Sequence, residues 1–379
     1  MNAPPNDDGP PLAALRAEVR EFLHAELAAR PGWSPADSWQ GFDAAFSESL
    51  GRRGWIGMTW PREYGGHGRS ALERYTVQEE LLAVGAPVGA HWVAERQSGP
   101  LLLRLGTEAQ KQRWLPRIAA GKAVFCIGMS EPDAGSDLAA LRTRATRTAN
   151  GWRLDGRKVW TTHAARSDAM IALVRTAPVD AARRHAGLSQ FLVELPQPGI
   201  TVSPIRDMAG DAHFAEVLLD GAELPADALL GTEGEGWAQA MTELSLERSG
   251  PERFLSSLPL LQRFIEDESS ASQAGLQLVG RAFAELATLR EMSIGVTRAL
   301  AEGRNPSVEA AIVKDLGAGF EQGLVAKIAD AFGWDGGRGD QPGGMPALLE
   351  ELSLIAPSFS LRGGTREILR GIIARELTR

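Results

Sequence analysis

The apolar residues of this chain change period twice, and that switch limits its architecture more than any single motif does. From about Pro11 to Gly121 the spacing is helical, with Leu12, Leu15, Val19, Leu23 and Leu27 on one helix face. Glu73 to Leu82 and Thr107 to Ile118 continue the pattern, and Gly106-Thr107 with Glu108 marks a helix start. WPREYGGHG (Trp60 to Gly68) reads as a loop, because Pro61, Gly65, Gly66 and Gly68 break regular elements. From Val124 to about Gly231 short runs rich in β-branched and apolar residues take over: GWRLDGRKVWTT, AMIALVRT, SQFLVELP, ITVSPI and AEVLLDGAELP. Their closely spaced turns predict an antiparallel sandwich or barrel, and Asn150-Gly151 predicts a two-residue hairpin turn. Beyond Gly236 the helical period returns and holds nearly to the end, apart from an expected loop at Gly333 to Gly344. The expected fold is mainly α with a β middle domain, in segments 1–123, 124–232 and 233–379.

Charge and cysteine content narrow the function. Forty basic against 48 acidic residues leave a net charge of −8, which disfavours nucleic acid and anionic membranes as partners. No apolar run approaches the roughly 18–20 residues a membrane helix needs. The start, MNAPPNDDGPP, has neither the basic nor the apolar region of a secretion signal. The lone Cys126 excludes an internal disulfide and a multi-cysteine metal site. A cytoplasmic protein is expected. Six scattered histidines show no metal-ligand spacing, so His163 and His213 read as structural.

Six stretches occur in a familiar order: WPREYGG, GTEAQKQRWLPRIAAGK, MSEPDAGSD, GRKVWTTHAARSD, EVLLDGAELP and SLRGGTREILRGIIARELTR. With them the chain resembles the acyl-CoA dehydrogenase family of FAD-dependent enzymes. The resemblance implies an N-terminal helical domain, an antiparallel β-barrel or sandwich, and a C-terminal four-helix bundle. It also implies an acyl-CoA substrate, electron-transfer flavoprotein as acceptor, and a tetramer. Desaturation needs a carboxylate in a dry pocket to take the α-proton, and hydrogen-bond donors for the thioester oxygen. The β-hydrogen leaves as hydride to the flavin, so the hard chemistry belongs to the cofactor.

In Ile127 to Asp137, Pro132 and Gly135 force a turn that presents polar groups at a strand end. By resemblance, Ile127, Met129, Ser130, Ser136, Trp160, Thr161, Thr162 and Thr365 belong to the cofactor site. Trp160 would cover one ring face and Thr162 would bond the ring edge; Ser136, Arg248, Gly363 and Gly364 fall toward the substrate. Cys126 becomes a bystander beside the flavin loop.

Many members carry the base in a Tyr-Glu-Gly-Thr motif, where this chain has Arg362-Gly363-Gly364-Thr365. Glycine takes no proton. A second branch places the carboxylate before a helix arginine, which makes Glu247 of Leu246-Glu247-Arg248 the candidate base and Gly363 a backbone N–H donor. Pro251 lacks the N–H that the Glu247 carbonyl would accept, so a helix break with a fresh start at Ser249-Gly250-Pro251-Glu252 is expected.

The chain departs from homo-oligomeric members on the adenine side. Their trans-acting Arg-x-x-Phe-Gly clamp aligns with Ile265 to Gln273, which has no arginine and carries Glu266, Asp267 and Glu268. Arg263-Phe264 comes too early, and Asp330 to Trp334 replaces Gln-x-x-Gly-Gly. A mixed α2β2 assembly is therefore expected, in which a paralogous subunit supplies the clamp; ERSGPERFLS resembles that group. The alternatives are a non-catalytic partner subunit and a flavin-dependent monooxygenase of the same fold.

Overall fold

The computed structural model describes residues 10–30, 32–337 and 344–378; the side chains of Pro10 and residues 244–247 lie outside the description. Residues 338–343 of the expected loop at 333–344 also lie outside it. Helices α1 (Pro10–Ala28), α2 (Ala44–Arg52), α3 (Ala71–Ala83), α4 (Gly89–Val93), α5 (Gly99–Leu105) and α6 (Glu108–Ala119) come first. Strands β1 (Phe125–Gly128), β2 (Arg144–Arg147), β3 (Gly151–Thr162) and β4 (Ala169–Arg175) follow, then β5 (Leu188–Glu194), β6 (Ile200–Ile205), β7 (Phe214–Pro225) and β8 (Leu229–Leu230). The chain ends in α7 (Gly236–Glu247), α8 (Leu258–Ile265), α9 (Gln273–Ala301), α10 (Ser307–Phe332), α11 (Met345–Ile355) and α12 (Arg366–Leu377). The helical, β, helical order expected from the periodicity is the order that forms.

Two compact units result. One comprises Met1–Phe42, Gly68–Val88 and Arg248–Arg379, the other Asp43–His67 and Gly89–Glu247. Units and sequence segments divide the chain differently: α1 and α3 belong with the C-terminal helices, while α2 and α4 to α7 belong with the sheet.

In the sheet unit the strand order is β6-β7-β3-β2-β4-β5-β8, with β1 added to β4 in parallel. Turn spacing alone does not reveal that parallel pairing. β4 is buried at every residue, which explains its unbroken apolar run, whereas β3 and β7 alternate. Trp152, Phe191, Val217 and Leu219 lie in its core, and the Trp152 and Phe191 rings meet edge to face at 5.0 Å. The β2–β3 turn is two residues long but one residue earlier than expected. Thr148 N–H donates to Gly151 O at 2.9 Å, so Ala149-Asn150 forms the turn. Gly151 is needed because a Cβ there would meet the Leu224 carbonyl oxygen at 2.1 Å. Thr107 caps α6 as expected, in a capping box completed by Gln110. The Trp60–Gly68 loop contains one 3-10 turn, Arg62–Tyr64, whose Tyr64 hydroxyl donates to Glu108 at 2.9 Å.

In the helical unit, ion pairs tie three helices together. Glu79 of α3 takes Arg16 of α1 at 2.8 Å and Arg290 of α9 at 2.7 Å, and Glu80 takes Arg20 at 2.7 Å. α7 stops at Glu247, and a 3-10 turn at Pro251–Arg253 starts afresh with Arg253 N–H donating to Gly250 O at 3.1 Å. The missing Pro251 N–H produces the break it predicts. Among the described residues, no helix is long and apolar enough to cross a membrane, and no His/Cys/Asp/Glu group could hold a metal ion.

Candidate active site

The sheet unit carries the ring-loop residues. Ile127, Met129 and Ser130 are half-buried where β1 runs out, and Ser136 is exposed. A tight turn closes the loop, with Glu131 and Ala134 exchanging N–H···O bonds at 2.9 and 3.1 Å. Met129 packs on a small core of Ala134, Leu138, Leu141, Leu173, Leu188 and Ala240. Ser130 O accepts from Val159 N–H at 2.9 Å, which ties the loop to β3.

β3 breaks its own alternation beside this loop. A bulge between Lys158 and Thr161 leaves Trp160 at φ 60°, a left-handed conformation that costs a non-glycine residue about 1–2 kcal/mol. The outcome inverts ordinary polarity: Lys158 is fully buried and Trp160 is 58% exposed. Among the described residues, Phe214 meets the indole in a ring contact, edge-on at 5.9 Å. Thr161 faces inward, its hydroxyl without a partner among the described residues, and Thr162 is half-buried. A large aromatic kept outside on strained backbone, flanked by Thr162 and by Ser130 on the tied loop, fits the planar ring of FAD.

In the sheet unit, Lys158 escaped sequence reasoning. Its ammonium donates to Met129 O at 3.1 Å and to Glu131 Oε1 at 2.9 Å. Glu131 also accepts the Arg142 N–H at 2.6 Å and the Thr143 N–H at 2.9 Å. Burial pushes the Lys158 ammonium down to about 8, against the pull of Glu131. Glu131 is held below the usual carboxylate range: burial raises it, but Lys158 and the hydrogen bonds from Thr143 and Arg142 outweigh that. A Cβ on Gly128 would lie 2.6 Å from Met170 Sδ and 3.2 Å from Lys158 Cγ, so that glycine makes room for both side chains.

The helical unit carries the other candidates. Gly363 and Gly364 have φ of 68° and 98°, a stretch that glycine enters freely. Arg248, itself buried, donates to Gly363 O at 3.4 Å, and buried Lys314 donates to Gly364 O at 2.7 Å. Arg362 donates to Glu252 O at 3.2 Å and Ser256 Oγ at 3.0 Å, and its guanidinium lies over Trp39 and Phe359. Thr365 caps α12 by accepting from Ile368 N–H, and Arg366 pairs with Asp315 at 2.6 Å. Every residue from 362 to 366 is thus held. Beneath them Glu321, fully buried, accepts Ser256 N–H at 2.7 Å, and burial raises its carboxyl above the usual range. Lys314, Glu321 and Arg253 escaped sequence reasoning because charged residues in helical stretches read as a solvent face.

The Glu247 backbone closes α7, but its side chain lies outside the described residues. Within α7, Glu243 accepts from Gln190 at 2.9 Å and Gln239 donates to Leu230 O at 3.4 Å, anchoring the helix to the sheet. Two of the three acids at 266–268 have local tasks. Asp267 caps the turn before α9 through Ser269 N–H at 2.8 Å, and Glu266 pairs with Arg263 at 3.3 Å. His163 N–H donates to His213 O at 2.6 Å, and burial holds the His213 ring below its ordinary pKa. Cys126 is wholly buried, and burial pushes its thiol up to about 12, which makes it unreactive.

Known proteins resemble this chain along nearly its whole length. Family models for the N-terminal, middle and C-terminal domains of acyl-CoA dehydrogenase match residues 11–122, 126–221 and 234–378. Acyl-CoA dehydrogenase IpdE1 of Mycobacterium tuberculosis is 34% identical over 382 residues, covering 96% of each chain. The structure titled Tcur3481-Tcur3483 steroid ACAD aligns with a TM-score of 0.86 at 28% identity, over 99% of both chains. The ChsE4-ChsE5 complex from Mycobacterium tuberculosis aligns with a TM-score of 0.85 at 27% identity, over 100% of this chain and 99% of that one. The chain belongs to the acyl-CoA dehydrogenase family of FAD-dependent oxidoreductases.

Proposed function

We propose that the chain is the catalytic subunit of a cytoplasmic acyl-CoA dehydrogenase that pairs with a paralogous chain in an α2β2 tetramer and desaturates bulky, steroid-like acyl-CoA thioesters. The observation that carries the catalytic part is the loop 362–366, in which buried Arg248 and Lys314 hold the carbonyls of two consecutive left-handed glycines. Each held carbonyl fixes the N–H of the following residue in the same peptide, that of Gly364 and that of Thr365, and so stiffens the glycine loop that a developing thioester oxyanion would need as a donor.

Glu247 takes the α-proton. Gly363 and Gly364 bear the thioester oxygen, Arg248 keeps their loop in place, and Ser136 lies toward the acyl-CoA. Ile127, Met129, Ser130, Trp160, Thr161, Thr162 and Thr365 hold FAD, with Trp160 on a ring face. Bound FAD supplies the hydride acceptor, and electron-transfer flavoprotein removes the electrons. The mixed assembly is supported by the missing arginine at Ile265 to Gln273 and by two-component relatives such as the ChsE4-ChsE5 complex. The steroid reading is supported by the similarity to a steroid ACAD.

Expression alone is compared with co-expression beside a paralogous chain, measuring FAD per chain, mass in solution, and anaerobic flavin bleaching by straight, branched and steroid-type acyl-CoAs. A flavin-saturated homotetramer from the lone chain contradicts the mixed assembly. Bleaching by straight-chain thioesters alone contradicts the steroid reading.

A further inference from the structure

We infer that Lys158, locked by Glu131, is a positioning residue that aims the Ser130 N–H at the polar edge of the flavin ring; the inference rests on the flavin reading above. A trans peptide carries its C=O and N–H on opposite sides. The Met129–Ser130 peptide points its oxygen at the Lys158 ammonium, 3.1 Å away, so its N–H is directed away from that ammonium. The neighbouring groups are committed within the protein: Ser130 O to Val159 N–H, and Glu131 N–H to Ala134 O, both at 2.9 Å. Lys158 therefore sets the direction of one donor in the loop, and it does so two residues before Trp160 on the same strand.

The second support is energetic. A buried ion pair is weak evidence for stability, since well-packed apolar residues in its place are often neutral or better. Here the pair is 0% and 8% exposed, at the second of two register shifts along β3. Glu131 extends the hold to the backbone of Arg142 and Thr143, joining three separate segments at one carboxylate. This network fixes a direction, and the direction matters most to a ligand that accepts hydrogen bonds along a planar edge. Reduction adds negative charge to that edge of a flavin, so an aimed N–H binds the reduced form more tightly than the oxidised one.

The test uses Lys158→Met with Glu131→Gln, which removes both charges and keeps the volumes. FAD affinity of the apoprotein is read by fluorescence quenching, the two-electron potential by dye equilibration, and folding by thermal denaturation of the apoprotein. The expected result is an apoprotein that folds but is less stable than wild type, because Met129 O and one of the backbone N–H groups that donate to Glu131 lose their partners, with FAD affinity at least tenfold weaker and a lower potential. A tenfold preferential loss for the reduced form is about 30 mV for a two-electron couple. Unchanged affinity and potential in the folded double variant overturn the inference while leaving the flavin reading intact. A wild-type chain that takes up no FAD even when co-assembled with its paralogous chain overturns both. Should the double variant fail to fold, Glu131→Gln alone is read instead. Its amide NH2 must confront either Lys158 or the Arg142 N–H, so wild-type affinity and potential there also overturn the inference.

Discussion

The Lys314 ammonium, buried in α10, donates to the carbonyl oxygen of Gly364 at 2.7 Å and so fixes the peptide that precedes α12. Lys314→Met removes the donor and leaves a carbonyl unsatisfied, at a cost of about 1–3 kcal/mol. The expected outcome is that loss in urea denaturation, together with a kcat at least tenfold lower and unchanged FAD content. Lys314→Arg restores a donor and is expected to recover part of the kcat. A variant with wild-type kcat would separate this lysine from the thioester site.

Trp160 pays a backbone strain that glycine does not. Trp160→Gly is expected to leave apoprotein stability unchanged or raise it by about 1 kcal/mol. FAD affinity is expected to fall at least tenfold in the same variant. Thermal denaturation of the apoprotein and flavin titration check the two halves separately, and a fall in stability with normal flavin binding would make Trp160 a core residue.

Glu321 gives the bundle a pH dependence of known sign. Its carboxyl is raised above the ordinary value of 4.5, chiefly by burial. The folded state therefore binds the proton more tightly than the unfolded chain. Stability from this group is present below pH 4.5 and is lost as pH rises through the raised value. Glu321→Gln keeps an acceptor for Ser256 N–H but cannot ionise. Its melting temperature is expected to fall less than that of wild type as pH rises above 4.5, measured by thermal scans in matched salt.

Much of this fold was legible because local rules and tertiary structure agree. Leu12 to Leu27 lie in one helix, the run GWRLDGRKVWTT is β3 end to end, and Pro251 breaks the helix where its missing N–H requires. The motif residues Ser130 and Trp160 come near each other through the Val159–Ser130 hydrogen bond, and their cofactor role belongs to the proposal. Lys158 was not legible, because a strand lysine reads as an outward residue even where, as here, it shares the inward parity of Trp152 and Leu154; the bulge that follows turns Trp160 out instead. Lys314 and Glu321 were hidden for a related reason: buried charges depend on partners distant in sequence, Gly364 for one and Ser256 for the other. The parallel β1–β4 pair is equally non-local, since no turn joins its strands.

The central claim is that Glu247 removes the α-proton of an acyl-CoA while the flavin is reduced. It is tested most directly by anaerobic bleaching of bound FAD in wild type and in Glu247→Gln, each loaded with equal flavin. The account predicts rapid bleaching of wild type by its acyl-CoA and a rate roughly 10²–10⁴-fold lower in the variant, the range that general base catalysis contributes. Bleaching of the variant at the wild-type rate would contradict it.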